Sequence, residues 1–577
     1  MTYRDKILSE DYAELIYPEF NPSDRVMKRY NVEFTENISN TKSTLYLPLS
    51  AMENINFSNY SYGLMPKVYG LMDTSPLEVS GITRLANQPV LSLRGQGTII
   101  GIVDTGIDYT NPAFIDSNGK TRILRIWDQT DDKGKLPAAV RNEILRESLN
   151  LKIYYGSEYT EDDINEALNS ANPREIVPVT DDIGHGTFMA GVAGGTPDIA
   201  SGFSGAATEA KFIVVKLKQA KKYLRNYYFI PEDVPAYQEN DIIAAANYIR
   251  IYSMVFNMPV SLMVALGSNQ GGHDGGTMLS DELSRYVNSA GTAVTVAAGS
   301  EGNARHHFLG VVEDEDKPVD MEIRVGDNVA GFSAEIWVDA PQIFSVGIIS
   351  PTGEVVNRIP ARMGSSQIID FIFEKTRIYI EYDIIEGATG DELIFMRFRE
   401  PTAGIWRIQI YGSNINTGVF NCWLPITQFV GDNVYFLEPD PSITITDPAM
   451  AAGVITVAGY DSRSGAYFQE SGRGYTRRGR VAPDIAAPAV DITGPSVNGG
   501  FENTNGTSPA AAITAGACAQ VLTWGIVNEN RSFMSSAEVK SYLIRGATRD
   551  SGMVYPNNMW GYGKLNIYNS FEVLRNS

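Results

Sequence analysis

The chain has 577 residues with 47 Lys+Arg against 68 Asp+Glu, a formal charge of −21, and 43% hydrophobic and 20% charged residues. That length calls for two or three domains, each able to bury its own core, so size is no obstacle to an enzyme. The acidic excess argues against nucleic acid as a partner, and two distant cysteines, Cys422 and Cys518, exclude a disulfide framework and a thiolate-rich metal site.

The first residues, Met1 to Glu19, alternate charges (Arg4, Asp5, Lys6, Glu10, Asp11) and lack the apolar core of about 7 to 15 residues that a signal peptide needs. Synthesis in the cytoplasm without Sec-type export is expected. No run of about 18 apolar residues stands out, so no membrane span is expected. Residues 1–75 mix helical and strand-like stretches (Arg29–Phe34, Lys42–Leu49) and read as a small α+β unit.

From Gly95 the texture changes. Gln96–Val103, Ala210–Lys218, Val260–Leu266 and Thr292–Ala298 are short, continuous apolar runs, and Asp241–Ile251 and Leu279–Ala290 have helical spacing between them. Apolar strands alternating with helices predict an α/β fold, a parallel sheet covered on both faces. From about 304 to 445 the pattern becomes dense alternating strands: Asp320–Val325, Ala334–Val338, Ile343–Ile349, Gln367–Phe373, Ile378–Ile384, Leu393–Phe398 and Gly404–Tyr411. They predict a β-sandwich or jelly roll. At Ala452–Gly459 the α/β texture resumes and continues into a small-residue helix, Ser508–Trp524, so the β-rich block reads as an insertion. The expected layout is 1–75, 76–303, the insert 304–445, and 446–577.

Only four histidines are present: His185, His273, His306 and His307. His185 sits between glycines ahead of a small-residue helix. Asp104 ends the apolar strand Thr98–Val103, where parallel sheets place ligands. Ser508 precedes Pro509 at the predicted start of a helix, near unpaired N–H groups and the positive dipole end. Singly, each has a structural reading: a core histidine, a helix-capping aspartate, a capping serine. Together they form the set that makes a hydroxyl nucleophilic, since a serine needs an imidazole to take its proton and the imidazole a buried carboxylate to hold its tautomer.

That set, in the order Asp, His, Ser, resembles the subtilisin-like serine proteases (subtilases) through Ile102-Val103-Asp104-Thr105-Gly106-Ile107-Asp108, Gly184-His185-Gly186-Thr187 and Gly506-Thr507-Ser508. Val481–Pro488 and Gly561–Asn566 are similar to two further family segments, and Ala265-Leu266-Gly267-Ser268 to the strand lining the primary specificity pocket. The resemblance implies that Ala265, Leu266, Gly267 and Gly299 bind substrate and that residues 1–75 are a propeptide. It places self-cleavage within Tyr69, Gly70, Leu71, Met72, Asp73, Thr74 and Ser75. No cofactor or catalytic metal is required by this chemistry, although structural calcium is common in the family.

Two departures stand out. The family's oxyanion motif ends in Asn, whereas Ala297-Ala298-Gly299-Ser300 has Ser300 there. Loss of one oxyanion donor costs on the order of 3 to 4 kcal/mol unless the Ser300 hydroxyl, a water or Asn303 substitutes for it beside the Ser508 backbone N–H. The family's proline four residues after the serine is Ala512 here, with Pro509 nearby.

The short propeptide, the insert's position and His306-His307 resemble in layout the clostridial Csp germination proteases. This implies packaging in spores, a cleaved propeptide that stays bound non-covalently, and limited proteolysis of a cortex-hydrolase zymogen. The competing readings are a pseudoprotease that works by binding and an intracellular housekeeping subtilisin. The acidic run Glu313–Asp316 and the basic loop Arg473–Arg480 read first as solvated turns.

Overall fold

A computed structural model describes residues 2–52, 54–71, 77, 79–89, 91–137, 153–497 and 499–575. Helices α1 (Tyr3–Leu8) and α2 (Asp24–Arg29) accompany strands β1 (Tyr12–Tyr17), β2 (Phe34–Asn37) and β3 (Ser43–Pro48), which pair antiparallel in the order β1-β3-β2. The stretch Arg29–Phe34 runs from the last residue of α2 through a turn into the first residue of β2. After two short helical turns the chain leaves this unit as β4 (Val68–Leu71).

The central sheet uses β5 (Ile99–Asp104), β6 (Ile123–Asp128), β7 (Ser157–Thr160), β8 (Lys211–Lys216), β10 (Val260–Val264) and β12 (Thr292–Ala297). Its remaining strands, β13 (Ile455–Tyr460) and β14 (Ile485–Pro488), complete the spatial order β14-β13-β12-β10-β5-β8-β6-β7. Two-residue strands β9 (Tyr237–Gln238) and β11 (Leu266–Gly267) lie outside this sheet. All ladders of the large sheet are parallel except the β6–β7 edge. Helices cover both faces, and the apolar core divides accordingly into two clusters. Chain order reverses around β5, flanked by β10 and β8, so the carboxyl end of β5 lies at the switch point where open α/β sheets form their crevice.

Two of the covering helices matter most. Helix α3 (His185–Gly194) and helix α4 (Thr507–Leu522) are built of small residues and pack side by side, and a Cβ on Gly516 would come within 2.5 Å of the Ala193 carbonyl oxygen. The span Thr507–Val527 is long and apolar enough to cross a bilayer, but 83% of its most apolar window is buried inside the fold. It is the core helix of the α/β body.

Between His307 and Phe436 the chain forms two antiparallel sheets of six and five strands enclosing a third apolar core. The observed strand Ser366–Asp370 stops short of Phe373. Ile372 and Phe373 stand in a turn, 82% and 79% exposed, where the Glu354 carboxylate accepts from both of their backbone N–H groups. Cys422 and Cys518 are free and buried in different cores.

Candidate active site

Strand β5 is buried over all six residues and carries Asp104 into the interior, fully excluded from solvent. A buried carboxylate needs compensating donors. Asp104 Oδ1 accepts from the Thr105 backbone N–H at 2.7 Å, and its two oxygens lie 2.8 and 2.9 Å from His185 Nδ1. Because a carboxylate only accepts, Nδ1 carries the proton and Nε2 is the basic nitrogen.

His185 is the first residue of α3, and Gly186 behind it is required sterically: a Cβ there would stand 2.2 Å from the Gly106 carbonyl oxygen. The loop is further held by Asp181, which the sequence reading passed over. Its carboxylate accepts from Thr105 Oγ1, Gly184 N–H, Thr187 N–H and Thr187 Oγ1 at 2.7 to 2.8 Å. Thr105 Oγ1 in turn accepts from the Gly186 N–H at 2.9 Å. Asp181 thus ties the residue after Asp104 to the residues on both sides of His185. An acid four positions ahead of a Gly-flanked histidine was the available signal.

Ser508 is the second residue of α4, after Gly506 at the cap with φ 134°, a conformation that glycine adopts without strain. Its backbone N–H is one of the first-turn donors with no partner inside the helix, and the helix dipole adds positive potential there. Ser508 Oγ donates to the Ala265 carbonyl at 3.5 Å. This contact puts the hydroxyl at the break between β10 and β11.

Strand β11, immediately after Ala265, pairs antiparallel with β4: Leu266 faces Leu71 and Gly267 faces Gly70. The other edge of β4 pairs with β9 through Val68 with Gln238 and Tyr69 with Tyr237. The N-terminal segment therefore lies as the middle strand of a three-stranded sheet whose outer strands belong to the α/β body, and it runs toward Ser508. Met72, Asp73, Thr74 and Ser75 lie outside the described residues.

Gly299, at φ +91°, approaches Thr446 so closely that a Cβ would meet its Oγ1 at 2.5 Å. Ser300, half-buried, borders a cavity of about 460 Å³ together with Gly267 and Thr446. The structure thus holds Asp104 and His185 in direct contact, seats Ser508 against Ala265, and sets Gly267 and Ser300 around one cavity. Such a set can take a proton from a hydroxyl and present backbone donors to a developing oxyanion.

Residues 95–352 and 432–563, more than half of the chain, match the model of the subtilase family. The chain belongs to the subtilase family. Its fold is similar to that of the CspB protease of Clostridium perfringens, with a TM-score of 0.75 and 29% identity over 86% of this chain and 97% of that one. Among sequence relatives, the subtilisin-like protease SBT6.1 of Arabidopsis thaliana is 30% identical over 142 residues, 23% of this chain. The PI-type proteinase of Lactococcus lactis subsp. cremoris is 23% identical over 76% of this chain. The aligned regions span 13% and 23% of those two relatives' own lengths.

Other motifs of this subtilase take structural places. His306 bonds Glu301 at 2.7 Å and the Val434 carbonyl at 3.1 Å, while His307 contacts the Asp440 carbonyl and Asn421 Oδ1. The two adjacent rings share no partner. His273 and His307 both stack on one indole, Trp423, at 4.0 and 4.8 Å, and burial drives the His273 imidazole down to about 3. Within Arg473–Arg480, Arg477 is buried, bonding Asp274 and Asp391 at 3.1 and 2.6 Å and also Asp339. Arg478 joins the same two carboxylates. This loop is an ion-pair lock between the α/β body and the β insert rather than a solvated turn. Among the described residues no three His, Cys, Asp or Glu side chains converge as metal ligands would.

Proposed function

We propose that this subtilase is a serine endopeptidase in which Ser508 attacks the scissile carbonyl, His185 takes and returns the proton, and Asp104 holds the imidazole in its reactive tautomer. The Ser508 N–H and Ser300 serve the oxyanion. The observation that carries the reading is the position of β4: an extended segment paired on both edges, aimed at the nucleophile, is how a protease holds a peptide. The first substrate is therefore the chain itself, cut just beyond Leu71, with the N-terminal unit retained afterwards by its buried interfaces. The further substrate is a folded zymogen cut at an exposed segment, and the likeness to the CspB protease favours the spore cortex hydrolase class, with the enzyme stored in the spore.

The test is intact-mass spectrometry with N-terminal sequencing of the wild type and Ser508→Ala. The wild type should split within Leu71–Ser75 and the variant should stay whole. If both stay whole while folded, self-cleavage is refuted, and Ser300 in place of an amide donor then favours a binding protein that keeps the fold without the turnover.

A further inference from the structure

The 460 Å³ cavity beside Ser300 is not built by the α/β body alone. Gly267 and Ser300 come from the α/β body, Gly267 two residues after the Ala265 carbonyl that Ser508 touches, whereas Ile426 and Asp432 come from the segment between the last two strands of the β insert. A specific contact fixes this arrangement: Glu301, the residue after Ser300, accepts from the Thr427 N–H at 2.9 Å and from His306 Nδ1 at 2.7 Å. The insert is thereby pinned against the turn that carries Ser300, and the Glu301 carboxylate is occupied by those two donors and by Asn269 Nδ2 at 3.5 Å.

The remaining charges of the cavity are Asp432, Glu470 and Arg305. Among the described residues neither Asp432 nor Glu470 has an ion pair, and both are exposed. Arg305 lies over the Tyr435 ring, 3.3 Å from its centroid. The cavity therefore offers an apolar lining of Gly267, Ala304 and Ile426, the side-chain amides of Asn303 and Gln428, and two carboxylates outside any ion pair, with one cation drawn aside onto an aromatic face.

We infer that the insert makes this subtilase selective for a long, unbranched side chain ending in N–H donors, Lys, Arg or Gln, at the residue that contributes the scissile carbonyl, with Asp432 and Glu470 receiving the head group. The inference rests on the proposed protease activity and deepens it by naming the substrate class. A branched aliphatic or Phe side chain presents no donor to the two carboxylates, and an acidic one meets like charge. The chain's own junction, Tyr69–Ser75, contains no Lys, Arg or Gln. A bond presented intramolecularly tolerates that mismatch because its effective concentration is high.

The measurement is kcat/KM of the full-length protein on one quenched peptide series differing only at that position, with Lys, Arg, Gln, Met, Glu or Phe. The same six residues are also built into the chain's own processed position, located by N-terminal sequencing, and self-cleavage is timed by mass, which avoids any blockage of the cleft by the N-terminal unit. Lys, Arg and Gln should exceed Met, which is as long as Gln and carries no donor, by about tenfold or more, with Glu slowest. Asp432→Asn combined with Glu470→Gln, both at exposed positions, should lower the Lys-to-Met ratio at least about fivefold. Cleavage that prefers Met or Phe, or a ratio unmoved by the double substitution, overturns the inference and leaves the protease reading standing. Absence of cleavage in both formats overturns both.

Discussion

Asp181 and Ser300 carry the finest adjustments of the site. Asp181 gathers four donors in a buried pocket, and an amide in its place offers one acceptor oxygen and two N–H groups that face donors. Each donor left unsatisfied costs about 1 to 3 kcal/mol, and part of that cost appears as misplacement of His185. Asp181→Asn should lower kcat by about 10- to 100-fold with a smaller change in KM, as measured on the best peptide substrate. Ser300 has a shorter reach than the amide found at this position in related enzymes. Ser300→Asn should raise the rate of self-cleavage by about tenfold or more by restoring a second oxyanion donor, and an unchanged rate would mean that the Ser508 N–H works with another group.

Elements place these residues, and their legibility differs with the range of the forces involved. Gly506-Thr507-Ser508 was readable because its demand is local, a φ of 134° at Gly506, whereas Gly184-His185-Gly186-Thr187 was readable as a motif although the demand on Gly186, no room for a Cβ beside Gly106, comes from a distant part of the chain. Gly186→Ala should accordingly push α3 away from β5, removing self-cleavage and lowering the melting temperature by several degrees; retention of both would mean that the helix start can shift without moving His185. Strand β6 was missed because Arg122 precedes its apolar run and Arg125 interrupts it. Arg122 is in fact buried, donating to the Ala113, Ala210 and Gly194 carbonyls, and Arg125 lies over Tyr252 and Phe256. The β4–β11 pairing and the Arg477 lock were not legible for another reason: their partners lie far along the chain, and nothing local in Val68–Leu71 or Arg473–Arg480 distinguishes a docked segment from a solvated one.

At the scale of the molecule, the N-terminal unit is sealed against both other units. Its side chains enter one core with the α/β helices and another with the insert, where Tyr62 meets Trp337 edge-on at 5.7 Å. The α/β interface also buries charge. Glu14 lies 3.5 and 3.2 Å from Lys218 and Lys221; burial pushes its carboxyl up, but the two ammonium groups outweigh this and hold it below the usual range. Asp241, 2.6 Å from Lys218, is driven by burial to about 6. Among the described residues Glu36 has no ion pair. It accepts from Tyr46 OH at 2.7 Å and the Tyr154 N–H at 3.0 Å, and burial, with Asp241 and Glu14 nearby, raises its carboxyl from 4.5 to about 8. A carboxyl raised in the folded state is protonated there and ionised when released, so folding takes up a proton between pH 4.5 and 8 and stability falls as pH rises through that window. Asp241 adds to this trend up to about pH 6, and Glu14 opposes it only below about pH 4.5. Glu36→Gln, which mimics the neutral acid and can donate to the Tyr46 oxygen, should stabilise the intact Ser508→Ala protein at pH 8 by an amount on the order of 2 to 4 kcal/mol, with little effect at pH 4.5. Urea unfolding at the two pH values checks the sign. A stabilisation that is equal at both, or absent at pH 8, would show that Glu36 stays ionised at the interface and that the acid-favoured seal of the N-terminal unit comes from elsewhere.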